Sequence, residues 1–325
     1  MAQRIEEILP AIFKIEVPLR GNPLKSINSY LIRGNGRDLI IDTGMNTKEC
    51  LAELLSALHL LDVDLKKADL FITHLHVDHM GLVYCLAQDS SEVYFNGPDL
   101  EMMKNVDFWE QAFTFVSRHG FPEDELREAI DRHPAHKFRL QDETIFTLLG
   151  EGDILKRGNY IFKCLETPGH THGSMCLYEP KEKILFAGDH ILGDITPNIS
   201  LNTELDYNPL KNYLHSLDKI HQMDIELVLP GHRSPLTDFR RRISELKDHH
   251  RQRKNEIMEV LKKNPENAYG VASKISWDLQ ERWEHFPAVQ KWFAISEVLA
   301  HLKDMEEEGL VYPEKSGENF TFWKR

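Results

Sequence analysis

Four short segments of the sequence concentrate the side-chain types that bind metal ions. Each follows an apolar run and carries histidine or aspartate in a stretch shaped by glycine or proline, where a strand would end in a loop. The segments are THLHVDHMG, TPGHTHG, LFAGDH and LVLPGH, and their candidate ligands are His74, His76, Asp78, His79, His170, Asp189 and His232. Imidazole nitrogens and carboxylate oxygens suit zinc, which takes about four ligands and keeps one position for water in catalytic sites.

The spacing of these residues favours two metal ions. His74 and His76 are two residues apart, so on an extended backbone they project to the same side. Asp78 and His79 lie beyond them in a loop and can serve a second ion. A water between two divalent cations loses a proton near neutral pH, because zinc alone lowers the pKa of bound water from about 15.7 to about 7. Hydrolysis then requires no serine or cysteine nucleophile.

Alternating strand and helix patterns surround these segments. Residues 11–44 alternate β-rich runs with turn residues, and residues 34–36 (Gly-Asn-Gly) predict a hairpin turn. Residues 47–61 have helical periodicity, with Thr47 as the N-cap. Further strands are predicted over 68–76, 93–97, 160–169, 174–180, 183–189 and 226–232, and further helices over 99–118, 122–131 and 209–223. Two runs of strands with helices outside favour two sheets packed face to face and covered by helices.

After residue 237 the alternation of strands and helices gives way to a mainly helical pattern. The pattern predicts helices over 238–263, 268–275 and 288–309, followed by a hairpin that turns at Ser316 and Gly317. Three helices and a terminal hairpin are typical of a winged-helix module. We therefore expect a catalytic domain over 1–237, with a helical insertion over about 99–140, and a small winged-helix-like domain over 238–325.

The combined motifs resemble those of the metallo-β-lactamase superfamily of hydrolases. The motifs that carry the resemblance are HLHVDH, then GH, GD and a terminal PGH. The resemblance spans roughly residues 10–237. The resemblance implies an α+β fold, an αββα sandwich with a dinuclear site at one edge of its two sheets. It also implies roles for the candidate ligands: a first metal on His74, His76 and His170, a second on Asp78, His79 and His232, and a bridging Asp189. Asp42 in LIIDTG matches an aspartate that is mainly structural in this family.

In the mechanism that follows, Asp78 is the candidate catalytic residue, because it can orient the attacking water or relay its proton. Two zinc ions per chain are expected, with iron and manganese as alternatives, because histidine and aspartate ligands accept all three metals. His172 is favoured as structural or solvent-facing, whereas His190 is balanced between a hydrogen bond at the metal edge and simple packing.

The insertion over about 99–140 contains five aromatic residues among charges: Phe108, Trp109, Phe113, Phe115 and Phe121. One interpretation is a cap over the metal site that supplies an apolar substrate pocket. The favoured interpretation for each individual aromatic is packing, since aromatics at helical spacing commonly attach a helix to its neighbours.

Charge disfavours nucleic acid as a partner. The formal net charge is −13, and residues 238–325 carry 16 Lys plus Arg against 16 Asp plus Glu, whereas a phosphate-binding domain should be clearly basic. Glu306, Glu307 and Glu308 lie in the would-be recognition helix and would repel phosphates. Packing, homodimerisation or shaping of the active-site entrance is therefore the favoured role of this domain, and nucleic-acid contact is the minority interpretation.

No apolar run approaches the roughly 20 residues that span a bilayer, so we expect no membrane integration. The four cysteines form no CxxC pair and no secretory signal is recognisable, which favours a reduced, cytoplasmic protein. Superfamily β-lactamases are usually exported, so antibiotic hydrolysis is disfavoured.

The segment after the bridging aspartate, HILGDITPNISLN, lacks the Lys, Arg and Tyr with which glyoxalase-II-like enzymes grip glutathione. Leu192 stands where related lactonases place an oxyanion-donating tyrosine. The sequence thus predicts a metal-dependent hydrolase of an ester, thioester or related small metabolite. The alternatives are a phosphodiesterase or endoribonuclease of the same fold, and a metal-dependent nucleic-acid-binding regulator.

Overall fold

The computed structural model describes residues 5–141, 145–203, 207–279 and 281–325. In this part of the chain the first sheet has seven strands, in the order β1-β2-β3-β4-β5-β6-β7. Its strands are β1 (Ile5–Leu9), β2 (Ile12–Pro18), β3 (Ser26–Ile32), β4 (Asp38–Ile41), β5 (Ala68–Phe71), β6 (Val93–Asn96) and β7 (Phe146–Leu149). Pairing is antiparallel from β1 to β4 and parallel from β4 to β7.

The second sheet has five described strands, in the order β12-β11-β10-β9-β8. They are β8 (Ile154–Arg157), β9 (Tyr160–Glu166), β10 (Met175–Glu179), β11 (Ile184–Gly188) and β12 (Leu227–Pro230). Strands β8 to β11 pair antiparallel, whereas β11 and β12 pair parallel. Parallel neighbours end at the same edge of a sheet, so the residues that follow β11 and β12 emerge together.

The two sheets pack face to face across a shared apolar core. Phe186 of the second sheet lies between Tyr30 of the first and Phe162 of its own, with ring-centroid distances of 5.1 and 5.8 Å. The same cluster contains Phe71 and Ile41 from the first sheet, both nearly inaccessible to solvent. This arrangement confirms the predicted sandwich of two sheets.

Helices in the described residues are α1 (Lys48–Leu60), α2 (Val77–Met80), α3 (Val83–Leu86), α4 (Gly97–Lys104), α5 (Phe108–Ser117), α6 (Glu123–Arg132), α7 (Pro209–His221), α8 (Phe239–Leu261), α9 (Ala268–Ala272) and α10 (Ala288–Glu307). Helix α1 covers the outer face of the first sheet, where Leu54 and Leu58 join a buried cluster with Ile40 and Leu70. The predicted N-cap of α1 is confirmed, because the Thr47 side chain accepts a hydrogen bond from the Cys50 backbone N–H.

Two predicted elements differ from the structure. The predicted helix over 99–118 is interrupted between α4 and α5, where the Asn105 side chain accepts from the Asp107 backbone N–H at 3.2 Å. Such a local side-chain bond competes with the helical ladder. The predicted strand over 68–76 ends at Phe71, and Asp78 and His79 lie in the short helix α2 rather than in a loop.

The chain divides into two compact units. Unit 1 comprises 1–104, 138–197 and 216–242, apart from the undescribed residues, and contains both sheets. Unit 2 comprises 105–137, 198–215 and 243–325 with the same proviso, so part of the helical insertion belongs with the C-terminal segment. Within unit 2, α10 packs against α6 and α9, and the antiparallel hairpin of β13 (Val311–Ser316) and β14 (Asn319–Lys324) follows it. The domain boundary at residue 237 stays a prediction.

None of the described helices combines the length and the apolar character that crossing a membrane requires.

Candidate metal centre

The seven candidate ligands meet in unit 1 at the carboxyl ends of the parallel strands. His74 follows β5 in the first sheet, while Asp189 directly follows β11 and His232 follows β12 in the second. His170 lies in the connection between β9 and β10. Strand pairing thus carries residues separated by more than a hundred positions to one place.

Three sets of these side chains have ligand atoms within 4.8 Å of one another. The sets are His74 with His76 and His170, His74 with His79 and Asp189, and Asp78 with His79 and His232. All seven residues that the sequence analysis singled out are therefore brought together, and each belongs to at least one set.

The carboxylate of Asp189 lies between the histidines of the different sets. Its Oδ1 is 3.4 Å from Nε2 of His79, and its Oδ2 is 3.7 Å from Nε2 of His170 and 3.5 Å from Nε2 of His232. His232 Nε2 is also 3.4 Å from Oδ2 of Asp78. One carboxylate that lies close to histidines of both groups can bridge two cations.

Three of the histidines are held by their Nδ1 atoms, which leaves Nε2 directed at the cluster. The Ser26 carbonyl lies 2.7 Å from Nδ1 of His232 and can only accept, so this nitrogen carries the proton. Nδ1 of His79 is 2.7 Å from Oδ2 of Asp42, and Nδ1 of His74 is 3.0 Å from the Thr73 hydroxyl. Fixing the tautomer in this way orients the Nε2 lone pair for a metal ion.

Asp42 holds its position at some backbone cost. Its φ of +55° lies in the left-handed region, which aspartate tolerates better than most residues. Besides His79, its carboxylate accepts from the Thr73 backbone N–H at 2.9 Å and from the Thr73 hydroxyl. The aspartate therefore connects the end of β4 to the segment that carries the first histidines.

Electrostatics keep the first histidines neutral in the metal-free protein. Burial, followed by neighbouring histidines such as His79, lowers the pKa of His74 well below its ordinary 6.5. Burial and the adjacent His170 lower the pKa of His76 to about 3. Neutral imidazoles carry a free lone pair, so these two side chains are ready to bind a cation without losing a proton.

The acidic side of the cluster behaves in the opposite sense. Burial alone would raise the pKa of Asp78, but the nearby His232, whose Nε2 is 3.4 Å from its Oδ2, lowers it to about 2. The pKa of Asp189 is also lowered, because His232 and His79 outweigh its burial. Burial lowers the pKa of His79, but Asp42 and Asp189 outweigh burial and raise this pKa well above 6.5, so a metal ion that binds Nε2 displaces its proton. The carboxylates are therefore ionised at neutral pH.

The donor set fits a divalent cation. Nε2 of His79, Nε2 of His232 and Oδ1 of Asp189 are buried and make no hydrogen bond with any described residue. Leaving such atoms unsatisfied costs about 1–3 kcal/mol each. Nitrogen and carboxylate donors converging on shared points are the ligands that zinc, iron and manganese accept.

Two polar residues that the sequence analysis did not identify hold the loop of His232. Asn28 Nδ2 donates to the Pro230 carbonyl at 3.0 Å and to the Arg233 carbonyl at 2.7 Å, and the Tyr30 hydroxyl donates to the same Pro230 carbonyl at 2.8 Å. The signal was available: Asn28 is an amide side chain within the largely buried strand β3.

Most of the other residues considered in the sequence analysis are exposed or take part in packing. His172 is exposed, whereas His190 is buried and its pKa is lowered by burial to about 3. In the insertion, Phe113 lies under the Arg127 guanidinium at 4.3 Å, and Phe121 packs beside Tyr269. These aromatic contacts are made inside unit 2.

The family model of the metallo-beta-lactamase superfamily matches residues 22–232. The chain belongs to the metallo-beta-lactamase superfamily. It is 28% identical over 295 residues to the probable metallo-hydrolase YqjP of Bacillus subtilis, covering 87% of this chain and 88% of that protein. The protein described here is therefore an enzyme of the metal-dependent hydrolase class.

Two further relatives extend the comparison. The chain is 28% identical over 215 residues to the acyl-coenzyme A thioesterase MBLAC2 of Homo sapiens, covering 63% of this chain and 72% of that protein. The crystal structure of a metallo-beta-lactamase family protein from Thermus thermophilus has a TM-score of 0.83 at 27% identity, over 98% of this chain and all of that one (100%).

Proposed function

We propose that the protein is a dizinc hydrolase that cleaves a thioester bond in a small acyl metabolite, with acyl-coenzyme A as the first class to test. The observation that carries the proposal is the Asp189 carboxylate, which faces His79 with one oxygen and His170 and His232 with the other. Similarity to a protein named as an acyl-coenzyme A thioesterase supports the thioester among the ester-like substrates.

The proposed ligand sets are His74, His76 and His170 for the first ion, Asp78, His79 and His232 for the second, and Asp189 for both. When bound, a pair of zinc ions lowers the pKa of water and polarises the acyl oxygen of the substrate. Iron or manganese in the same positions is the alternative, because the ligand types accept them.

Asp78 contributes by orientation in this proposal. Its pKa of about 2 makes it a weak base, so it is poorly suited to store a proton at neutral pH. Its side chain is 13% exposed, and one oxygen lies near His232, so the group is held at the edge of the buried cluster. Asp78 accepts a hydrogen bond from the attacking water and aligns it with the acyl carbon.

The proposal for residues 238–325 is a winged-helix-like domain that serves packing or homodimerisation. The order of α8, α9 and α10 followed by the β13–β14 hairpin supports it, and the balanced charge of this segment disfavours a phosphodiesterase or regulator that grips nucleic acid. A reducing, cytoplasmic location is proposed from the four cysteines, all of which carry free thiols.

The test is thiol release from short-chain to long-chain acyl-coenzyme A by the purified protein. A matched pair of variants isolates the site: His170→Ala removes a proposed ligand, while His172→Ala removes an exposed imidazole two residues away. We expect His170→Ala to lose about 100-fold or more in turnover and His172→Ala to stay within about threefold of the parent.

Equal activity of the two variants would overturn the assigned site. Cleavage of a phosphodiester or of single-stranded RNA, with no thioester or ester turnover, would overturn the substrate class and favour the nuclease alternative.

A further inference from the structure

Asp99 is a buried carboxylate that no part of the proposed mechanism uses. It lies in the first turn of α4, it is inaccessible to solvent, and it belongs to unit 1. Its Oδ2 accepts from the Leu75 backbone N–H at 2.9 Å and from the Thr171 hydroxyl at 2.8 Å. Its Oδ1 accepts from the Gly173 backbone N–H at 2.7 Å.

These three donors belong to the two segments that carry the first ligand set. Leu75 stands between His74 and His76, and Thr171 directly follows His170. The two segments are separated by almost a hundred residues, so no local turn relates them. The Asp99 carboxylate is a direct polar link between them.

The close contact between Asp99 and the segment after His170 depends on a glycine. A Cβ placed on Gly173 would lie only 1.5 Å from Oδ1 of Asn96, so only glycine permits this approach. Asn96 in turn accepts from the Asp99 backbone N–H at 2.8 Å, which fixes the start of α4. Thr171 is also bonded to Ser174, so its hydroxyl is held in place.

The chemistry of the donors specifies a carboxylate. Both oxygens of Asp99 face backbone N–H groups, and only an acceptor can satisfy an N–H. Burial raises the pKa of Asp99 above its ordinary value, and the bonds from Thr171, Gly173 and Leu75 offset only part of that rise. An asparagine of the same shape would offer one oxygen and one NH2 group, so its NH2 group would face an N–H donor.

We infer that Asp99 is a positioning residue that sets the metal affinity of the first ligand set by holding His74, His76 and His170 at a common point. It touches neither substrate nor reacting atoms. The inference rests on the proposed function, because it presumes that these three histidines bind a metal ion. It adds to that site a buried carboxylate that is bonded to both ligand segments.

The test compares Asp99→Asn with Asp69→Asn. Asp69 is a matched control because it is also a buried carboxylate of unit 1. It is bound by Arg37 and Arg157 at the start of β5, whereas Leu75, which donates to Asp99, lies beyond the end of that strand. Metal-free protein is titrated with zinc against a chromophoric chelator, and thermal unfolding of the metal-free proteins is recorded in parallel.

We expect Asp99→Asn to weaken one zinc site by about 10–100-fold and to leave the other within about threefold. Asp69→Asn should lower the unfolding temperature and leave both affinities unchanged. Wild-type affinities in Asp99→Asn, or a loss shared equally by both sites and matched by Asp69→Asn, would overturn the inference.

A milder pair covers the case in which Asp99→Asn does not fold. Thr171→Val removes one donor to Asp99, and Thr171→Ser retains it. Weaker zinc binding in the valine variant alone supports the inference, and equal binding in the two variants contradicts it. If the unaltered protein binds no zinc, the proposed function itself fails, which distinguishes that outcome from a failure of the Asp99 inference.

Discussion

The orientation of His79 by Asp42 leads to a quantitative prediction for Asp42→Asn. In the native protein the carboxylate accepts from Nδ1 of His79 at 2.7 Å and from the Thr73 N–H at 2.9 Å. Asparagine preserves the shape and tolerates the φ of +55°, but it supplies only one acceptor oxygen. Its NH2 group must therefore face either His79 or the Thr73 N–H.

The less costly arrangement in the metal-free variant places the NH2 group against His79. His79 then accepts at Nδ1 and carries its proton on Nε2, the atom that otherwise faces Asp189. Binding a metal at Nε2 requires the amide to turn and leave the buried Thr73 N–H unpaired, at a cost of about 1–3 kcal/mol. At about 1.4 kcal/mol per factor of ten, zinc affinity at the second ligand set falls by about 5- to 150-fold.

Competition titration of the metal-free variant with zinc measures this loss directly, with calorimetric unfolding as the stability readout. Asp38→Asn is the matched control, since Asp38 is buried at the start of β4, the strand that Asp42 follows, but binds the Gly34 N–H and Arg33. The expected result is a weakened second site with little change in metal-free stability. Native zinc affinity in Asp42→Asn, or a loss of stability without a loss of affinity, would refute the reasoning.

Two further predictions concern stability. Phe186→Ala should lower the unfolding free energy by about 3–5 kcal/mol in urea titration, because it empties the core between the sheets, whereas Ile161→Ala on an exposed position should cost about 0.5 kcal/mol or less; equal costs would contradict the core assignment. In unit 2, burial lowers the pKa of His119, His133 and His301 from 6.5 to about 4. Between these two pH values the unfolded state binds more protons than the folded state. The free energy of unfolding therefore falls as the pH falls, by at most about 1.4 kcal/mol per pH unit for each histidine. All 5 tryptophans lie in unit 2, so their fluorescence follows its unfolding, and unfolding that does not depend on pH from 6.5 to 4 would show that these histidines are not buried and neutral.

Local chemistry made much of the site predictable from the sequence. Ligand-type residues directly after apolar runs mark strand ends, and strand ends converge in a layered sandwich, so the grouping of His74, Asp189 and His232 could be expected. The N-cap at Thr47 was likewise readable, because a side-chain oxygen before a periodic apolar run is a local signal.

Non-local features were harder to predict. Strands β1, β7 and β8 were missed because they are short and partly exposed, with little alternation to mark them. The helix break coincides with side-chain bonds of Asn105, which accepts from the Asp107 N–H and donates to Gln111. The contacts of Asp99 were hidden because an aspartate in the first turn of a helix has a sufficient local explanation, and its partners lie far away in the chain.

Metal content and turnover measured on the same preparation test the central claim most directly. The account predicts about two zinc ions per chain, acyl-coenzyme A hydrolysis that stops when a chelator removes them, and recovery of activity when zinc is returned. Full hydrolysis by protein stripped of metal would contradict the account, as would a preparation that binds no divalent cation at His74, His170 and Asp189.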